Sequence, residues 1–162
     1  MELLLKRGAD PHQLCHNGVS SLMIAAREGN IWAMERLLKA GVGVNITARE
    51  YGSVLSIVSY YKPASVAIPI IKSLCDAGVD VNCSSAQDGQ TPLMFAVKRE
   101  DLDIIKYLVQ HGADVNKTDE FGESPLHYAI KVENEQIVRF LIESGADTEV
   151  CNTAGDGSTP FQ

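Results

Sequence analysis

No stretch of the 162-residue chain approaches the roughly 18 consecutive apolar residues that a membrane-spanning helix needs, which excludes membrane insertion by that route. The opening MELLLKRGAD holds three leucines between charges, too short an apolar run for a secretory leader. Positive charge is in short supply. Fourteen Lys and Arg face twenty-one Asp and Glu, for a net charge of -7, which argues against nucleic acid as the expected partner, since phosphate binding needs a basic surface. Cysteine is sparse too: Cys15, Cys75, Cys83 and Cys151 show no C-x-x-C spacing and read as reduced thiols of an intracellular protein, cytoplasmic or nuclear. P-loop, G-x-S-x-G, H-E-x-x-H and G-x-G-x-x-G patterns are all lacking, so no enzyme and no cofactor is expected. The cluster HQLCH (His12, Cys15, His16) falls short of a four-ligand zinc set and reads as a solvated loop, with no metal expected.

What the chain does contain is repetition. GQTPLMFAV begins at Gly89 and GESPLHYAI at Gly122; HGADVN begins at His111 and SGADTE at Ser144, both pairs 33 residues apart. Glycines that close an apolar, helix-spaced run recur at Gly8, Gly41, Gly78, Gly112 and Gly145, at intervals of 33, 37, 34 and 33. Before Gly112, residues Ile104, Ile105, Leu108 and Val109 form one apolar stripe of a helix, and the glycine fits a left-handed stop. Upstream of each such helix a shorter one is announced by a hydroxyl cap, often followed by proline: Ser20-Ser21, Thr91-Pro92, Ser124-Pro125 and Thr159-Pro160. Alanines at Ala25, Ala26, Ala96 and Ala129 predict close approach between helices. A period of this length makes each unit a helical hairpin that buries its apolar face only by stacking.

The pattern resembles the ankyrin repeat, whose T-P-L-H-x-A signature is met by SPLHYA at Ser124 with serine for threonine, and by TPLMFA and SSLMIA with further substitutions. The resemblance implies an all-α solenoid of stacked helix-turn-helix units joined by β-hairpin-like loops. The units expected are a partial repeat at 1–17, repeats at 18–50, 51–88, 89–121 and 122–156, and the start of a further one at 157–162; the chain reads as a segment of a longer array. The 51–88 unit is irregular. With Ser53 as its cap, Tyr51 falls where the loop glycine belongs. Four extra residues, by the spacing of Ser59 to Gly78 (19) against Ala26 to Gly41 (15), are placed within YYKPASVA between its two helices. Such an insertion costs a surface loop little; the alternative is recruitment to a contact.

Ankyrin partners commonly lie on the concave side, so the resemblance implies a protein-binding surface built from first-helix ends and loop tips. Those slots hold Arg27, Glu28, Tyr60, Tyr61, Lys98, Arg99 and Lys131, and Arg49, Glu50 and Phe121. The ridge of Arg27, Lys62, Lys98, Arg99 and Lys131 around two tyrosines suits another protein, an acidic or phosphorylated segment in particular. Ordinary solvated helix ends are the plainer reading of the same residues. Trp32 lies on the opposite side and is expected to pack on a neighbouring helix, a second contact surface being the alternative. His127 resembles the histidine that ties neighbouring loops together, and His111 is placed to meet the free carbonyls of a helix end. Asn82 and Asn116, each in L-x5-D-V-N, resemble a context modified by an asparaginyl hydroxylase; bracing of the turn is the plainer role. A non-enzymatic interaction module is expected, as adaptor or recognition segment, with a regulatory inhibitor that masks its partner as the alternative.

Overall fold

A computed structural model describes residues 10–15, 17–49, 51–150 and 159–160. The expected partial unit at 1–17 and the further unit at 157–162 fall largely outside them. Hydroxyl caps open the first helices. Ser20 Oγ accepts from the Met23 amide (3.2 Å), Ser53 Oγ from Ser56 (3.2 Å) and Thr91 Oγ1 from Met94 (3.3 Å), each satisfying an amide that the helix leaves free. Among the described residues this grammar gives four helix pairs: α1 (Ser21–Glu28) with α2 (Ile31–Lys39), α3 (Val54–Tyr61) with α4 (Ala64–Asp76), α5 (Pro92–Lys98) with α6 (Leu102–Gln110), and α7 (Pro125–Lys131) with α8 (Glu135–Glu143).

The first helices stack α1 on α3 on α5 on α7, and α4 packs on α6 behind them. Ala26, Ala96 and Ala129 are fully buried in that stack, as their small side chains require. Ile104, Ile105 and Leu108 are likewise fully buried, with Val109 at the margin. Gly41, Gly78, Gly112 and Gly145 take φ between 78° and 92° after α2, α4, α6 and α8, a left-handed geometry that glycine adopts at little cost.

The irregular unit departs from expectation in two places. Its left-handed loop residue is Gly52 (φ 65°), one step nearer the cap than in the other units, and here the loop pairs as two short antiparallel strands, β1 (Thr47–Ala48) and β2 (Gly52–Ser53), in the register Thr47↔Ser53. The four extra residues do not lengthen the link, which is only Lys62 and Pro63; they lengthen α4 to 13 residues against nine in α2, α6 and α8. Proline is the cause. The corresponding link residue is left-handed elsewhere (Gly29, Glu100, Glu133), but a residue before proline is held extended, and Lys62 lies at φ -115°, ψ 139°. The chain then re-enters helix at once. Four residues are close to one helical turn, so the buried stripe Ala67, Ile70, Ile71, Leu74 keeps its phase.

The added turn is anchored by the next pair. Asp101, the N-cap of α6, accepts from Ile104 N through Oδ1 (3.2 Å) and from Ala64 N, the first amide of α4, through Oδ2 (3.2 Å). At the other end of the stack the loops are laced by asparagines. Asn45 Oδ1 accepts from Asp80 N (2.8 Å), Asn82 Oδ1 from Asp114 N (2.8 Å) and Asn116 Oδ1 from Asp147 N (2.7 Å). Asn82 and Asn116 also donate through Nδ2 to Gly112 O and Gly145 O, both at 3.0 Å. These side chains thus brace the following unit's loop rather than their own turn.

Candidate functional site

The last turns of α3, α5 and α7 come into register because the first helices stack one on another. That register builds a continuous ladder of rings. Tyr51 meets Tyr61 at 6.4 Å between centroids, Tyr61 meets Tyr60 edge-on at 5.1 Å, and Tyr60 meets Phe95 edge-on at 6.0 Å. Two ammonium groups continue it. Lys98 Nζ lies 5.6 Å from the Phe95 ring and 4.5 Å from that of Tyr128, and Lys131 Nζ lies 5.6 Å from Tyr128. Tyr60 and Tyr61 stay 40% and 47% exposed. Tyr60 and Tyr61 thus connect through Phe95 to Lys98 and through Tyr128 to Lys131, by two aromatics that the helix-end slots did not include.

Beneath the ridge runs a polar chain across two units. Lys98 Nζ donates to Gln90 Oε1 (2.5 Å), Gln90 Nε2 to Tyr128 Oη (3.1 Å), and Tyr128 Oη to Asp119 Oδ2 (2.6 Å). Asp119, itself buried, also accepts from the Phe121 and Glu123 amides through Oδ1, both at 2.9 Å. Lys131 pairs with Glu123. Burial lowers the Lys98 pKa, while Asp88, Asp119 and Glu123 hold it up and Lys131 pushes it down again. Burial, then the bond to Asp119, pushes the Tyr128 phenol well above its ordinary value.

The other expected residues are placed as follows. Arg27 is exposed and bonds the adjacent Glu28 through Nε (3.2 Å). Arg49 is exposed at a loop, its amide on Asn17 O (3.3 Å), and Phe121 is 50% exposed at another. Arg99 caps α5, exposed, beside the ridge. Glu50 and His16 lie outside the described residues. Trp32 stays 53% exposed, which favours the alternative of a contact surface over packing on a neighbouring helix, and the Arg36 guanidinium sits 5.7 Å from its ring. His127 does not tie loops together either. Its Nδ1 accepts from the Ser124 amide (3.1 Å) in its own unit, and its buried Nε2 has no partner among the described residues. His111 does meet a helix-end carbonyl, with Nδ1 2.8 Å from Tyr107 O and its ring stacked on Tyr107. Phe95, Tyr128 and Asp119 were missed because they sit one turn before the helix end or within the loop, whereas Gln90 was among the loop-tip slots. The i, i+3 relation of Phe95 to Lys98 and of Tyr128 to Lys131 was the available signal.

The family description "Ankyrin repeats (3 copies)" matches residues 55–152, more than half of the chain. The chain belongs to the ankyrin-repeat family. Ankyrin repeats are protein–protein interaction modules. Similar proteins include the nuclear factor NF-kappa-B p105 subunit of Gallus gallus, 34% identical over 119 residues, covering 73% of this chain and 12% of that protein. The putative ankyrin repeat protein FPV242 of Fowlpox virus is 30% identical over 103 residues, or 64% of this chain and 26% of that one. The B-cell lymphoma 3 protein homolog of Mus musculus is 28% identical over 119 residues, 72% of this chain and 26% of that protein. The ankyrin chain thus spans about a quarter or less of these relatives. Among its described residues no helix is long and apolar enough to cross a membrane.

Proposed function

We propose that this ankyrin array is a non-enzymatic recognition module, an adaptor segment of an intracellular protein, cytoplasmic or nuclear, that binds a partner protein along the first-helix ridge and the loop tips. The observation that carries the reading is the run of exposed rings Tyr61 and Tyr60 joined edge-on to Phe95 of the next unit. Large aromatic side chains held rigidly by their neighbours combine contact area with a small ordering cost, the character of interface hot spots. In this reading Arg27, Glu28, Arg49, Lys98, Arg99, Phe121 and Lys131 would contribute its rim, Glu50 being a candidate outside the described residues, and 18–50, 51–88, 89–121 and 122–156 would be its units. An acidic or phosphorylated partner segment would draw on Arg99, which is exposed beside the ridge. Asn82 and Asn116 remain candidates for hydroxylation. Because both ends of each carboxamide are held by the next loop, modification would need that loop to open locally.

The test is capture of partners from cell extract by the wild-type chain and by Tyr60→Ala/Tyr61→Ala/Arg99→Glu, after circular dichroism shows equal helicity. A partner kept by the first and lost by the second supports the ridge; equal recovery refutes it. The alternative reading, an inhibitor that masks its partner, is favoured if the captured partner's own activity falls on addition of the chain.

A further inference from the structure

We infer, resting on the ridge reading above, that the partner segment lying against Tyr60 and Tyr61 carries cationic side chains, arginine or lysine, rather than carboxylates or phosphates. Three observations on this surface point to that sign of charge.

The first is ring exposure. Tyr60 and Tyr61 meet edge-on and remain 40% and 47% exposed, and the face of an aromatic ring is its negative side. The ridge already shows what such faces take: Lys98 lies over Phe95 and Tyr128, and Lys131 over Tyr128. Among the described residues no lysine or arginine covers Tyr60 or Tyr61, so the ladder runs from rings with cations to rings without them.

The second is local charge. Two of the ridge's ammonium groups are already engaged, Lys98 with Gln90 and Lys131 with Glu123. Around Lys98 the carboxylates of Asp88, Asp119 and Glu123 outnumber Lys98 and Lys131 by three to two. A phosphate arriving there would meet an excess of negative charge and would have to strip a lysine from its partner. Arg99 at the end of α5 and Lys62 next to Tyr61 are the cations near the ridge that favour the opposite sign. The third is the whole chain, whose net charge of -7 speeds encounter with a basic partner and slows it with an acidic one.

The test uses three synthetic nonapeptides of glycine and serine carrying alternate arginine, alternate glutamate or alternate phosphoserine, titrated into the isotopically labelled full chain and followed by amide shifts in NMR. The arginine peptide is expected to shift Tyr60, Tyr61 and Lys98 saturably, and to bind more weakly as salt rises. Tyr60→Ala/Tyr61→Ala is expected to weaken that binding about fivefold, the loss of two exposed cation–ring contacts. Saturable shifts of the same amides by the glutamate or phosphoserine peptide and not by the arginine peptide would overturn the inference and leave the ridge standing as a site. Arginine-peptide binding that ignores the tyrosine substitutions, or no shift at these amides by any peptide, also overturns it. A captured partner still lost by Tyr60→Ala/Tyr61→Ala would then show that the ridge reading had not failed with it.

Discussion

Replacing Asp101 by alanine removes two helix caps belonging to different repeats. One carboxylate oxygen caps α6 at Ile104 N and the other receives Ala64 N at the start of α4, each at 3.2 Å. A side-chain cap contributes about 1 kcal/mol, so Asp101→Ala should lower stability by about 2 kcal/mol. The lost negative charge faces two positive helix ends, which adds a few tenths more. Asn30 provides the scale, because its side chain caps α2 alone, at Ala33 N (3.0 Å), and Asn30→Ala should cost about 1 kcal/mol. Asp101→Asn keeps one accepting oxygen and should fall midway. Urea unfolding followed by circular dichroism measures all three, read as a lower midpoint at unchanged slope. An Asp101→Ala cost no larger than that of Asn30→Ala would refute the bridge between repeats and, with it, the anchoring of the added turn of α4.

Three further outcomes follow from individual side chains. Ser59 is fully buried with Oγ unpartnered among the described residues, in the slot that Ala26 fills in α1, so Ser59→Ala should raise stability by about 1 kcal/mol in the same urea assay; a loss of stability would reveal a partner. Burial, helped by Asp76 and Asp80, raises the Cys75 and Cys83 thiols, so in a Cys15→Ala/Cys151→Ala background their reaction with a thiol reagent should reach half its maximum above the ordinary pH of about 8.5; half-maximal reaction at or below that pH refutes it. Tyr128 ionises later in the folded than in the unfolded chain, so its stabilising contribution is complete below the unfolded value of about 10 and fades as pH climbs past it; Tyr128→Phe should flatten the fall in stability between about pH 10 and about pH 12, and an unchanged slope counts against the raised phenol.

The period of the fold was legible because each of its signals is local. A serine or threonine cap, a proline in the first turn and a glycine stop act within a few residues of themselves, and the structure places Ser20, Ser53 and Thr91 at helix starts and Gly41, Gly78, Gly112 and Gly145 at left-handed stops. Counting residues also located the extra four in the 51–88 unit. It could not assign them, since a longer link and a longer helix add the same number. What decided between them was Pro63 acting on Lys62, which denies the link its left-handed residue, and Asp101, 37 positions away, which receives the amide of the early helix start. Pro69 consequently lies inside a helix, at a position that would be the first turn of a regular one. Trp32 and His127 were misplaced for a related reason: their surroundings are set by neighbouring repeats, and a repeat motif specifies a residue's slot without specifying what its neighbours present to it.

The candidate site shows the same division more sharply. Helix-end slots locate Tyr60, Lys98 and Lys131, but whether those lysines are offered to a partner depends on residues in the loops and one turn back. Gln90 and Glu123 stand immediately before the caps of α5 and α7 and reach over the first turn to Lys98 and Lys131. Asp119 then holds both the Tyr128 hydroxyl and the Phe121 amide, so the ring at the loop tip and the ring beneath the lysines are positioned by one buried carboxylate. Two of the basic residues of that ridge are thereby, in three dimensions, already partnered beside the exposed rings. The irregular repeat lacks this device. Its cap Ser53 is preceded by Gly52, which brings no side chain to cover Tyr60, and the tyrosines stand open where the lysines are held. The departure from the repeat pattern and the exposed end of the ladder therefore have a common origin in the loop before α3.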